Sequence, residues 1–272
     1  MSSSTLKKMY DPGRGAYEVD ERWISIDAYT MSNLHPPTRS NHAGLTRALQ
    51  VSANKGLPDI MTPPPHGKFF ALQCRMLDVK HALEVGTLGG YSAIWLATEN
   101  PSLHVTTIEF DPHHANVARK NIEAAGVSDR VEVILGAGMD VLPQLYADIQ
   151  SGKRERLGFT FIDADKLNNW NYVDWAIKMS VPSACIVVDN VVAKGELTIA
   201  DSTNPMVLGG REVVERVGKD ERIDGTVLQT VRWFHTHLLS PSLGPRAYSH
   251  AFSPNLLAEY VRQLEAMFRV VC

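Results

Sequence analysis

The sequence of 272 residues lacks the features that mark several classes of protein. It has three cysteines, Cys74, Cys185 and Cys272, an odd number that includes no C-x-x-C pair. A disulfide framework is therefore not expected, and Cys185, which lies in an apolar run, is expected to be buried in the core. No run approaches the roughly 18 apolar residues of a membrane-spanning helix. The first residues lack the apolar region of a secretory signal, so we expect a cytoplasmic protein without a membrane partner.

An excess of charge of either sign is also lacking. The formal net charge is −3, from 27 Lys and Arg against 30 Asp and Glu residues. A nucleic-acid-binding protein would carry a basic patch or stripe, so no nucleic-acid partner is expected. With 44% hydrophobic residues, the chain can bury the core of one large α/β domain without crosslinks.

From residue 81 onward, short apolar segments alternate with helical stretches and turns. The strand-like segments read HALEV, LHVTTIE, RVEVIL, FTFIDA, ACIVVDN and TVLQTVRWF. Strands alternating with helices predict βαβ units and a parallel sheet, and the continuous apolar runs suit strands that are buried on both faces. The sequence therefore predicts a doubly wound, Rossmann-like α/β fold.

The chain before this region is expected to be helical and interrupted by proline. Residues 1–20 are polar and contain glycine, which indicates a flexible arm. Residues 21–54 are predicted to be mostly helical around a break at Pro36, and residues 68–80 to be helical again. Residues 58–67, with four prolines, are predicted to form a rigid loop.

The C-terminal end is expected to be unusual. We expect a single domain over residues 21–240 and an atypical, partly helical extension over residues 241–272. Apolar residues at helical spacing predict a helix within residues 254–271. The extension then supplies no identifiable seventh strand.

Glycine or acidic residues follow the carboxyl ends of the first five strands. Ligands of open parallel sheets bind outside these ends. Turn preferences of Gly and Asp explain any one position but not the whole row, so we predict a ligand-binding rim. The row contains Glu84, Gly86, Gly89, Gly90, Glu109, Asp111, Gly136, Ala137, Gly138, Asp163, Asp165, Lys166, Asp189 and Asn190.

The loop after the first strand reads EVGTLGGYS, which differs from the dinucleotide pattern G-x-G-x-x-G. Its glycines allow a ligand to approach the backbone. Glu109 ends the next strand and can accept both hydroxyls of a ribose, although NAD enzymes place an acid similarly. The glycine spacing and Glu84 favour a nucleoside without pyrophosphate, and a carboxylate-lined rim suits a cationic sulfonium.

Asp163, Asp189 and Asn190 form a second candidate constellation, separated by one strand–helix–strand unit. If their strands are neighbours, the strand ends lie about 4.8 Å apart, and two carboxylates that close repel unless a cation lies between them. Three hard oxygens suit Mg²⁺ first, then Mn²⁺ or Ca²⁺. Turn or helix-capping roles are the alternative. Lys166, beside such a cation, is a candidate general base or, alternatively, a surface lysine.

The motifs of residues 27–231 resemble those of the cation-dependent O-methyltransferases, the group that includes catechol and caffeoyl-coenzyme A methyltransferases. The segment around the proline loop is most similar to the fungal branch of that group. The matching motifs are IMTPPPHGKF, LEVGTLGGYS, TTIEFD, GAG, FIDADK and VVDN.

The resemblance implies a class I methyltransferase fold, a homodimer, and methyl transfer from S-adenosylmethionine to a hydroxyl of a small acceptor. An aromatic vicinal diol is expected, because three protein ligands leave about three positions open on an octahedral metal. Asp163, Asp189 and Asn190 would be the metal ligands, and Lys166 with Asp163 the catalytic residues. The implied cofactor contacts are Thr62, Glu84, Gly86, Thr87, Ser92, Glu109, Ala137, Gly138, Asp163 and Asp165.

The sequence departs from the family pattern at two places. Lys194 stands where plant enzymes carry a substrate-contacting asparagine, which favours an anionic acceptor. The C-terminal tail lacks the expected closing strand pair. Two alternatives remain: a homologue that binds cofactor but catalyses poorly because of its tail, and an NAD-linked oxidoreductase on the same sheet.

Overall fold

The computed structural model describes residues 21–230 and 265–271, and this part of the chain is organised around one sheet. The strand order is β3-β2-β1-β4-β5-β7-β6. β1 to β5 are parallel, whereas β7 is antiparallel to β5 and β6. The strands are β1 (His81–Val85), β2 (His104–Glu109), β3 (Val131–Leu135), β4 (Leu157–Ile162), β5 (Ser180–Val188), β6 (Asp224–Thr230) and β7 (Glu265–Val271).

The helices connect the parallel strands and precede the first of them. They are α1 (Glu21–Leu34), α2 (His42–Asn54), α3 (Pro64–Met76), α4 (Tyr91–Glu99), α5 (Pro112–Ala124), α6 (Gly138–Gln150), α7 (Asn169–Met179) and α8 (Pro205–Val217), with short 3₁₀ turns at Lys166–Asn168 and Ala193–Gly195. Within the described residues, every helix is too short or too polar to span a lipid bilayer. The predicted doubly wound α/β fold is confirmed.

Two hydrophobic layers cover the two faces of the sheet. Successive strand side chains point to opposite faces, so Phe161 enters one layer and Ile162 the other. Cys185 is fully buried, as its apolar surroundings in the sequence predict. The layers confirm that the central parallel strands are buried on both faces.

The predicted proline loop over residues 58–67 is wrong from Pro64 onward, where α3 begins. A first helical turn needs no backbone donor, and proline already has the required φ angle, so Pro64 and Pro65 start this helix instead of preventing it. The predicted helix over residues 68–80 is confirmed with its bounds moved to Pro64–Met76. No helix was predicted where α8 lies. Its start is marked by Asn204, whose side chain accepts a hydrogen bond from the Met206 amide at 3.0 Å.

The helix predicted within residues 254–271 is wrong over residues 265–271, which form β7. This segment pairs with β5 on one side and β6 on the other, so its backbone groups are satisfied by two strands. Those long-range hydrogen bonds outweigh the local helical spacing of its apolar residues. Residues 1–20 and 231–264 lie outside the described residues, and the proposed domain boundaries stay a prediction.

Phe70 of α3 attaches the N-terminal helices to the sheet. Its ring centroid lies 4.6 Å from that of Phe161 and 6.0 Å from that of Phe159. We expect Phe70→Ala to lower the free energy of unfolding by about 3–5 kcal/mol, because it leaves a cavity among buried rings. Urea denaturation measures this. Leu72→Ala is the control in the same helix, where the side chain is 38% exposed; equal urea midpoints for the two variants would contradict the assignment.

β7 closes the sheet between β5 and β6. Deleting residues 265–272 removes the partner of both strands and exposes their edges to other chains. We expect the shortened chain to lose cooperative unfolding and to accumulate in the insoluble fraction. A chain lacking only Cys272 is the control. A soluble deletion variant with the same urea midpoint as this control would show that β7 contributes nothing to the fold.

Candidate active site

Four loops at the carboxyl ends of the strands are joined into one rim by backbone hydrogen bonds. These bonds continue the sheet ladder just past the strand ends, so the loops follow the order of the strands. The bonds are Gly86 N to Ile108 O (3.0 Å), Gly136 N to Glu109 O (2.8 Å), Asp163 N to Val85 O (2.8 Å) and Asp189 N to Ile162 O (3.0 Å). Because β4 and β5 are neighbours, Asp163 and Asp189 follow adjacent strands, as the sequence argument assumed.

Gly86 brings the glycine-rich loop against the loop after β4. Its φ of +104° is unfavourable for any other residue, and a Cβ there would lie 2.5 Å from the carbonyl oxygen of Asp163. Gly90, with a φ of +79°, then turns the chain into α4. Gly86 therefore allows the loops after β1 and β4 to touch through their backbones.

Glu84 lies behind this loop with no exposed surface. Its carboxylate accepts hydrogen bonds from the hydroxyls of Ser92 and of Thr107, the latter at 2.6 Å. Burial raises the pKa of Glu84 to about 7, against the opposing effect of these two hydrogen bonds. Thr107 also lies 2.6 Å, oxygen to oxygen, from the hydroxyl of Thr87. Thr107 was missed in the sequence, although it lies two residues before Glu109 and hence on the same face of β2.

Glu109 shapes the glycine-rich loop directly. Its Oε2 accepts hydrogen bonds from the amides of Thr87 (3.1 Å) and Leu88 (2.7 Å), and its Oε1 accepts one from the amide of Asp111 at 2.9 Å. His114 Nδ1 lies 3.8 Å from Oε1, and this carboxylate raises the pKa of His114. The carboxylate thus orders the loop and stays at the rim.

Lys166 and Asp163 form a close ion pair at the end of β4. Lys166 Nζ lies 2.6 Å from Asp163 Oδ1, and the lysine side chain is only 6% exposed. The alternative of a surface lysine is therefore wrong. An amine held this close to a carboxylate at the strand ends is positioned to take part in proton transfer.

Asp189 and Asn190 follow β5 on the neighbouring side. Asn190 has a φ of +60°, and its backbone N–H donates a hydrogen bond to Asp189 Oδ1 at 2.8 Å. Asn190 is buried, and its side-chain Nδ2 has no hydrogen-bond partner within the part of the chain that the structure describes. Among all the residues that the structure describes, no three His, Cys, Asp or Glu side chains are grouped so that they could hold a metal ion. The candidate set has two carboxylates and one amide, whose hard oxygens suit a divalent cation.

Tyr172 contacts both Asp165 and the loop after β3. The Tyr172 hydroxyl donates to Asp165, and burial raises the pKa of that hydroxyl. A Cβ on Gly138 would lie 2.8 Å from the Tyr172 ring, and Ala137 precedes Gly138 as the N-cap of α6. Tyr172 joins these loops but carried no motif in the sequence beyond its place in a helix. Thr62 is buried in the segment that leads into α3.

Comparisons with known proteins agree with this arrangement. A family model described as O-methyltransferase matches residues 38–232. The O-methyltransferase imqG of Aspergillus flavus is 54% identical over 217 residues, which cover 79% of this chain and 88% of that protein. The catechol O-methyltransferase of Mycobacterium tuberculosis is 39% identical over 207 residues, which cover 76% of this chain and 89% of that protein.

A solved structure gives the same result. The O-methyltransferase from Bacillus cereus in complex with SAH superposes with a TM-score of 0.74 at 35% identity, covering 92% of this chain and 98% of that one. The resemblance read from the sequence is confirmed, and the alternative of an NAD-linked oxidoreductase is wrong. Since the family model and both relatives span most of its length, this chain belongs to the O-methyltransferase family.

Proposed function

We propose that this chain is a divalent-cation-dependent enzyme that transfers a methyl group from S-adenosylmethionine to a hydroxyl of a small aromatic vicinal diol. The observation that carries the proposal is the buried Lys166–Asp163 pair, with Asp189 and Asn190 following the adjacent strand. The Bacillus cereus neighbour binds SAH, and the relative from Mycobacterium tuberculosis is named a catechol O-methyltransferase. Both support the proposal.

The cofactor would lie along the glycine-rich loop. Gly86 and Gly138 let the loops after β1 and β3 pack closely against Asp163 and Tyr172, while Thr87, Ser92 and Glu109 supply polar groups. When bound, S-adenosylmethionine supplies the methyl group and the divalent cation polarises the acceptor oxygens. Thr62, Glu84, Ala137, Asp163 and Asp165 complete the proposed cofactor contacts.

Asp163, Asp189 and Asn190 would hold the cation, with Mg²⁺ preferred over Mn²⁺ and Ca²⁺. A bound cation would favour the neutral amine of Lys166, which would release its own proton to solvent before the reaction. The acceptor hydroxyl would then pass its proton to Lys166 Nζ, and Asp163, 2.6 Å away, would stabilise the ammonium that forms. Fixing both reactants at one rim would supply much of the rate gain.

Lys194 is the proposed determinant of acceptor charge. It follows Asn190 by four residues within the 3₁₀ turn Ala193–Gly195 and has a φ of +60°. A cation there would favour an acceptor with an anionic substituent. We further propose that the chain forms a homodimer and is located in the cytoplasm.

Removal of Asp163 tests the role of the cation. We expect Asp163→Ala to lower kcat for methyl transfer to catechol by about a hundredfold or more, because a bound cation supplies several kcal/mol of charge stabilisation. Chelation with EDTA should have the same effect on the wild-type enzyme and little on the variant. Initial rates with radiolabelled S-adenosylmethionine, with and without Mg²⁺, measure both.

Asp129→Ala is the matched control, since this side chain is 72% exposed and lies near the start of β3. Full activity in Asp163→Ala, or in the wild type with EDTA, would refute the proposed cation dependence. A wild-type chain that binds S-adenosylmethionine but transfers no methyl group would instead support the alternative of a catalytically impaired homologue.

Glu84 predicts a pH dependence of stability. Its pKa of about 7 lies above the ordinary value of 4.5, so the folded state holds this proton more tightly than the unfolded state does. The resulting stabilisation is complete below about pH 4.5 and is lost as the pH rises through about 7. We expect Glu84→Gln to raise the free energy of unfolding at pH 8 by on the order of 1–3 kcal/mol, while weakening binding of the cationic cofactor.

Urea denaturation at pH 5 and pH 8 and calorimetric titration with S-adenosylmethionine measure the two effects. Glu123→Gln, on the exposed surface of α5, is the control. An equal change in stability at both pH values would show that Glu84 does not bind a proton on folding.

A further inference from the structure

Two consecutive glycines of α8, Gly209 and Gly210, press against two different loops of the rim. A Cβ on Gly209 would overlap the carbonyl oxygen of Lys166 and lie 2.5 Å from its carbonyl carbon. A Cβ on Gly210 would overlap the carbonyl oxygen of Val191 and lie 3.2 Å from its carbonyl carbon. One turn of helix therefore touches both loops through backbone atoms, which only glycine permits at this distance.

The two carbonyl groups belong to the two loops that carry the proposed base and two of the proposed metal ligands. Lys166 is the proposed base, and Val191 directly follows Asn190, a proposed metal ligand. The second loop has left-handed backbone at Asn190 (φ +60°), Ala193 (φ +47°) and Lys194 (φ +60°). Such backbone is costly for these residues and persists only where the surroundings hold it. Contact with α8 is one such constraint.

α8 itself is firmly anchored. Val207 and Val213, which flank the glycines, are fully buried, and Asn204 caps the N-terminus of the helix. Arg211 Nε donates to the carbonyl oxygen of Leu197 at 2.6 Å, so the helix also holds the end of the second loop. A rigid helix against two loops fixes the distance between them.

We propose that Gly209 and Gly210 are a positioning pair that sets the separation of Lys166 from Asn190 for methyl transfer. The inference rests on the proposed function for the roles of those two residues. Neither glycine needs to touch cofactor or acceptor. A side chain at either position forces one loop away from α8, and a misplacement of about 1 Å can lower a rate about a hundredfold.

The test compares Gly209→Ala and Gly210→Ala with Gly218→Ala. Gly218 ends the same helix, has an ordinary φ of −66°, and its added Cβ would meet nothing closer than 3.5 Å. We expect the first two variants to lose about a hundredfold in kcat. The KM for S-adenosylmethionine and the calorimetric Kd for S-adenosylhomocysteine should change far less than kcat, because most of the proposed cofactor contacts lie in the loops after β1, β2 and β3. Gly218→Ala should retain wild-type kcat.

Crystal structures of the wild type and of Gly209→Ala test the displacement without turnover. We expect the Lys166 carbonyl to move away from α8, so that the distance between Lys166 and Asn190 changes. Movement of α8 with that distance unchanged, wild-type kcat in both variants, or loss of S-adenosylhomocysteine binding in both would overturn the proposal. A wild-type protein that transfers no methyl group would refute the proposed function instead, and the crystallographic comparison would still decide the positioning claim.

Discussion

The site depends on a backbone contact between Gly86 and Asp163. The glycine-rich loop after β1 and the acidic loop after β4 can touch only because position 86 has no side chain and adopts a φ of +104°. Parallel pairing of β1 and β4 brings their ends together. The absence of a Cβ at position 86 then avoids a clash with the Asp163 carbonyl. The proposed reaction requires this contact, because it places the glycine-rich loop, which would hold the cofactor, beside the loop of Lys166, which would accept the proton.

Polar groups at the rim mostly satisfy one another, which explains how so many can be buried together. Glu84 binds Thr107, Thr107 lies against Thr87, and the Thr87 amide donates to Glu109. Such a network holds its members rigidly in an interior of low dielectric. Its cost is concentrated at Glu84, whose raised pKa reflects a carboxylate without exposure to water. A cationic ligand nearby would offset that cost, so the same group can oppose stability and favour binding.

The sequence predicted the parallel part of the fold well because the strands are short, mainly apolar segments that end at glycine or acidic residues. HALEV corresponds to β1 without any shift in its bounds. The rim followed from topology alone, since neighbouring strand ends must meet. Individual side-chain contacts could not be predicted, such as Tyr172 with Asp165 or Glu109 with the amides of the glycine-rich loop. They depend on side-chain geometry that no spacing encodes.

The C-terminal strand β7 shows most clearly that local sequence patterns can fail to predict secondary structure. It also affects the candidate active site. Apolar residues at helical spacing favoured a helix, yet residues 265–271 pair with two strands at once. Their neighbour β5 leads directly into Asp189 and Asn190, and the pairing of β7 runs along Cys185–Val188, the last four residues of β5. Without β7, β5, which leads to two of the three proposed metal ligands, would be an edge strand paired only with β4. The tail that departs from the family pattern therefore still supports the loop of the proposed metal ligands, which argues against a chain impaired by loss of its closing strand.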